Sequence, residues 1–130
     1  MLYSILIYDS DDAVAAMTPA EDDAIIAKHL AVHEKLTAAG KLGPCVRLAP
    51  SEKARTWRPL EGKIVTDGPF AETKEQLLGL YVVDCASMEE AIEIARSLPV
   101  LKSSFEVRPV RLYFPGVGLR STGTDQENGS

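Results

Sequence analysis

Apolar residues fill both phases of the alternation at two places in this chain. Residues 2 to 8 read LYSILIY, with Tyr3, Ile5 and Ile7 on one side and Leu2, Ser4, Leu6 and Tyr8 on the other. Residues 79 to 85, GLYVVDC, repeat the pattern, with Leu80 and Val82 against Tyr81, Val83 and Cys85. Strands that are apolar on both faces belong in the middle of a sheet covered on both sides, so these two segments predict the central strands. Strand-like residues from Leu42 to Leu48 and from Phe105 to Phe114 supply two more. Between them, Thr56 to Leu60 and Lys63 to Thr66, folded back at Glu61-Gly62, predict an inserted hairpin.

Helical periodicity occupies the remaining ordered stretches. After an acidic loop, Asp9 to Asp12, the run Thr18-Pro19-Ala20-Glu21 combines a threonine cap, a proline at the first helical position and a glutamate three residues after the cap. Together these make a capping box. The helix it opens is expected to reach about Ala39 and to end at Gly40. Ser87 to Glu90 has the same signature and opens a helix carrying Ala91, Ile92, Ile94, Ala95 and Leu98 on its apolar face, stopping before Pro99. The polar stretch Thr73 to Leu78 is compatible with a short helix. The resulting order is β, α, β, inserted hairpin, β, α, β, which is an α+β fold of the ferredoxin-like βαββαβ type with the first and third sheet strands in the middle. Two helices cover one face of such a sheet, so the other apolar face calls for a second copy of the chain, a homodimer.

With 130 residues and 45% hydrophobic content, one domain is expected. It spans residues 1 to 113. From about residue 114 onward the chain is Gly, Ser, Thr and polar residues, a composition expected to stay disordered. Neither a stretch of about 18 apolar residues nor a basic segment leading into an apolar one is present, which excludes a membrane span and predicts a cytoplasmic protein. Cys45 and Cys85 are far apart and outside any CxxC pattern, and they read as small apolar fillers. A net charge of −5, without a cluster of Lys or Arg, argues against direct nucleic-acid binding.

The chemistry-bearing residues fall in two groups. On the first helix, a step of about 100° per residue sets Ile25, Ile26, Leu30 and Leu36 on one stripe, and the two histidines of the chain, His29 and His33, fall within it. Histidine gives or takes a proton near neutral pH, although a histidine at a core edge also serves as a satisfied structural residue. The i, i+4 spacing is a metal-ligand spacing too, but it lacks a third ligand and the glutamate of HExxH, so neither metal nor cofactor is assigned. The second group is Asp67-Gly68-Pro69-Phe70, a sharp turn after an apolar strand. There an aspartate can orient a histidine or accept a proton, or act as ordinary turn punctuation.

The string VTDGPFAETKEQLLGLYVVDCASMEEAIEIARSLP, followed by EVRPV, resembles the YCII-related, DGPF-motif family over residues 1 to about 113. That resemblance implies a dimeric α+β barrel. In compact members, a histidine of the first helix, followed by Leu-Ala and eleven residues before the glycine that ends the helix, is paired with an aspartate as the active site. His29 and Gly40 match those positions, and Asp67 is the matching aspartate. His33 has no counterpart, and the segment between Leu48 and Thr66 is an insertion. The wider family includes lyases acting on ring-cleavage products, and DGPF-type members encoded beside extracytoplasmic sigma factors. The expected activity is therefore that of a small-molecule enzyme, lyase-like or hydrolase-like, with His29 and Asp67 as an acid-base pair. Arg47, Lys74 and Arg108 are the candidates to hold an anionic substrate. The alternative is a non-catalytic ligand-binding or sigma-factor-associated accessory protein.

Overall fold

In the computed structural model, residues 1–119 are described. Strand β1 (Leu2–Asp9), helix α1 (Asp11–Ala15), helix α2 (Pro19–Ala38), strand β2 (Leu42–Arg47), strands β3 (Arg55–Arg58) and β4 (Ile64–Asp67), strand β5 (Gln76–Asp84), helix α3 (Met88–Arg96) and strand β6 (Ser104–Pro109) follow in order. The main sheet runs β2-β5-β1-β6, and β3 and β4 pair separately as a two-stranded sheet. Every pairing is antiparallel. This is the expected α+β, ferredoxin-like arrangement, with the two doubly apolar segments as its central strands.

The core lies on the helix-covered face. Tyr3 and Ile5 of β1, Tyr81 and Val83 of β5 and Cys85 just beyond it pack with Leu36 of α2, with Ala91, Ile94 and Ala95 of α3, and with Leu98. On the opposite face Leu2, Leu6 and Tyr8 of β1 and Leu80 and Val82 of β5 stay partly exposed, which is the face that calls for a cover. Gly79 governs how closely β2 approaches. A Cβ there would collide with the carbonyl oxygen of Val46, so the missing side chain lets β2 press against β5 and puts Cys45 opposite Tyr81.

Both long helices begin where their caps require. Thr18 accepts from the Glu21 amide at 3.1 Å, while the Glu21 carboxylate accepts from the Thr18 amide at 3.0 Å. Ser87 accepts from the Glu90 amide, but the Glu90 side chain goes to the Ala86 amide and to Lys41, so the second box is only half closed. Gly40, at φ +70°, lies in the left-handed region that glycine tolerates, just past α2.

Four expectations are corrected. The Asp9 to Asp12 segment is not a loop: Asp9 ends β1, and Ser10 caps a short helix by accepting from the Ala13 amide, with Asp11 and Asp12 favourably placed in its first turn. Asp9 is fully buried and accepts from the Ser10 amide, the Ser103 hydroxyl and, at 3.4 Å, the Lys102 amide. The Thr73 to Leu78 stretch is not helical, since Gln76 begins β5 and its side-chain amide donates to the carbonyls of Ala71 and Thr73. The last strand stops at Pro109 rather than Phe114, because its partner β1 starts at Leu2 and offers nothing to pair with beyond Val110. Leu30 is 56% exposed, lying a full helical step from His29 and so off the stripe. Of the tail expected from residue 114, residues 114–119 carry no helix or strand, and the remainder lies outside the described residues.

Candidate functional site

Helix α2 lies across the sheet so that His29 and His33, one turn apart, both reach the same side chain on β5. The Tyr81 hydroxyl is 2.6 Å from Nδ1 of His29 and 2.7 Å from Nε2 of His33. Tyr81 is only 4% exposed, and a buried phenol requires hydrogen-bond partners for its oxygen. The two imidazoles supply them. The oxygen has a single proton, so it donates to one ring and accepts from the other.

Burial sets the electrostatics of this cluster. It pushes the Tyr81 phenol well above its ordinary range, with the nearby Cys45 thiol adding to the effect. His29 is held below 6.5 first by burial and then by the charges of His33 and Arg47, while His33 is lowered by burial alone. Both rings are therefore neutral at pH 7, the form in which a ring nitrogen serves as a base. Cys45 is pushed up to about 11 by burial, which keeps it a thiol rather than a nucleophilic thiolate.

Arg47 stands at the end of β2 and donates from Nη2 to Oδ1 of Asp22 at 2.7 Å. These two residues, with Val14, Met17, Thr18 and Pro19, line a cleft of about 360 Å³ at the start of α2. His33 borders a second, open groove on the outer side of the helix with Leu30 and Glu34. His29 is half-buried; it is not sealed in the core, and it lines neither cavity.

The other expected site residues are dispersed. Asp67 sits at the end of β4, its side chain 94% exposed and 3.7 Å from Nε of Arg55; among the described residues it makes no hydrogen bond or ion pair with His29. Arg108 pairs in register with Ser4 and so lies on the face away from α2, opposite to Tyr3 and Ile5, with Glu106 4.0 Å away. Lys74 is exposed in the loop before β5. Of the three candidate cations, the structure brings only Arg47 to the histidines.

Beyond the expected residues, the cluster includes Tyr81 and His33, the latter without a family counterpart. The signal was present in the sequence. Tyr81 shares its strand phase with Val83 and Cys85, the phase that faces the helices, and a tyrosine in that phase must satisfy its hydroxyl inside.

The model of the YCII-related domain matches residues 1–113. Over 120 residues the chain is 48% identical to an uncharacterized protein of Rhizobium meliloti (strain 1021), covering 89% of this chain and 97% of that protein.

Proposed function

The chain belongs to the YCII-related domain family, and on that premise we propose that it is a small-molecule enzyme, lyase-like or hydrolase-like, with His29 as its general acid/base. The observation that carries this reading is the 2.6 Å hydrogen bond between Nδ1 of His29 and the Tyr81 hydroxyl, in which Nδ1–H donates to the phenol oxygen when Nε2 is the base. It fixes the orientation of a half-buried, neutral imidazole and leaves Nε2 for a substrate proton. Arg47, whose charge acts on His29 and which lines the cleft at the start of α2, is the group to hold a carboxylate of the substrate. Asp67 is the proposed partner of His29, to orient the ring or accept its proton. It is carried on the two-stranded β3–β4 arm, so its approach to His29 requires that arm to move.

Deuterium wash-in tests the proposal. The protein is incubated in D2O with a panel of small enolisable carboxylic acids and carboxylated unsaturated lactones. Exchange or ring opening that disappears in His29→Gln and weakens in Arg47→Gln is the expected result. Exchange that survives in His29→Gln overturns the assignment of the base.

One observation favours the accessory-protein alternative. Trp57, Leu60, Ile64 and Val65 of the β3–β4 arm are all more than half exposed, and exposed apolar clusters mark interaction sites. Co-purification with a sigma factor, lost when Trp57 and Leu60 are replaced by Ser, is the expected outcome of that reading.

A further inference from the structure

The reading of His29 as base uses Tyr81 only to orient the ring and leaves His33 without a role, yet Tyr81 links the two rings by hydrogen bonds of 2.6 and 2.7 Å. We infer that His33 and Tyr81 form a proton relay that empties and reloads His29 from the outer groove of α2. This inference rests on the proposed role of His29 and adds to it the route by which its proton leaves.

The relay follows from the valence of one oxygen. In the first state, His29 carries its proton on Nδ1 and donates it to the phenol oxygen, the phenol donates to Nε2 of His33, and His33 carries its own proton on Nδ1. Nε2 of His29 is then bare and acts as base. When it takes a proton from substrate, the Nδ1 proton passes to the phenol oxygen as the phenol proton passes to Nε2 of His33, and His33 releases its Nδ1 proton to water. One proton enters at His29 and one leaves at His33. The phenol is neutral before and after, and the second state leaves His29 protonated on Nε2, ready to act as an acid.

Three structural features support a directed relay. His33 borders the open groove beside Glu34, whereas His29 lies farther in, with Arg47 acting on it. The two rings are 6.4 Å apart between centroids, too far for a direct hydrogen bond between facing nitrogens at their observed orientation, and Tyr81 bridges them at 2.6 and 2.7 Å. The groups of the neighbouring strand that act on the bridge are the Cys45 thiol on Tyr81 and Arg47 on His29. The thiol is held protonated and Arg47 is a guanidinium that keeps its proton, so neither competes as a proton carrier.

Because His29 presents Nδ1 to the phenol and His33 presents Nε2, the linked rings must share one tautomer, both Nδ1–H or both Nε2–H. Nitrogen-15 NMR of the imidazoles reads this directly on the intact protein without a substrate. The expected result is matching tautomers above the titration range, with both rings responding over the same pH interval. In Tyr81→Phe the two titrations separate. Opposite tautomers in the wild type, or curves identical in wild type and Tyr81→Phe, overturn the relay whatever the role of His29. Where wash-in has identified an exchanging acid, His33→Gln should slow it by about 10-fold or more, and added imidazole should restore it. Unchanged exchange in that variant also overturns the relay, whereas exchange surviving in His29→Gln overturns the base assignment instead.

Discussion

Nη2 of Arg47 lies 2.7 Å from Oδ1 of Asp22, tying the last residue of β2 to the first turn of α2. Both side chains are partly exposed, so the pair adds only about 0–1 kcal/mol to stability. Its larger effect is electrostatic, because it fixes a cation whose charge disfavours the protonated form of His29.

Replacing Arg47 by Met removes that charge while keeping the aliphatic stem. The His29 midpoint in an NMR titration should rise, because the imidazolium no longer faces a like charge. Binding of small carboxylates, followed by thermal shift, should be lost in the same variant. A midpoint that stays in place would remove Arg47 from the site.

Stability should fall as the solution is acidified, in a window the two histidines define. Their folded pKa values lie below the ordinary 6.5, so between those values and 6.5 the unfolded chain binds more protons than the folded one. Unfolding free energy therefore rises with pH through that interval. Viewed from neutral pH downward, the loss begins near 6.5 and ends once the folded rings are themselves protonated. Urea titrations at pH 7.5 and 5.5 should show the drop, and a His29→Gln, His33→Gln double variant should reduce it.

Tyr81→Phe removes the phenol oxygen and leaves two partly buried ring nitrogens without their partner. A cost of about 1–3 kcal/mol is expected in urea unfolding. A neutral substitution would mean that water replaces the hydroxyl without penalty.

How much of this was legible beforehand depended on the kind of signal. The central strands were visible because neither phase of LYSILIY and GLYVVDC is a polar one, and the start of α2 because Thr18 and Glu21 must satisfy each other's amides. His29 was visible as a polar residue on an apolar stripe. The position of Asp67 was not, since an insertion of unknown geometry separates it from the sheet. The face occupied by Arg108 followed from its pairing with Ser4, a register that only assembled strands reveal. The burial of Asp9 is not legible locally, because its carboxylate depends on donors from residues 102 and 103, about ninety positions away.

Asp67 carries its own expectation. If the arm brings its carboxylate to His29, Asp67→Asn lowers the His29 midpoint by removing a favourable negative charge. A titration identical to wild type assigns Asp67 to its pair with Arg55 on the arm.

Association in pairs is expected from the partly exposed row of Leu2, Leu6, Leu80 and Val82 on the sheet face away from the helices. Light scattering coupled to gel filtration should report twice the chain mass at micromolar concentration, and Leu80→Glu should halve it. A wild-type monomer under those conditions would rule out this face as the contact.

The sheet order also carries a cost in time. Within the domain, strand β1 is synthesised before the other elements, but both of its neighbours, β5 and β6, come from the last half of the domain. Asp9 cannot be satisfied until Ser103 arrives. A nascent domain therefore carries one of its two central apolar strands unpaired until most of the domain has left the ribosome. Folding that depends on such distant pairings is slow and exposed to aggregation, so yield in the cell should follow chaperone supply and growth temperature more closely than the equilibrium stability of the finished fold.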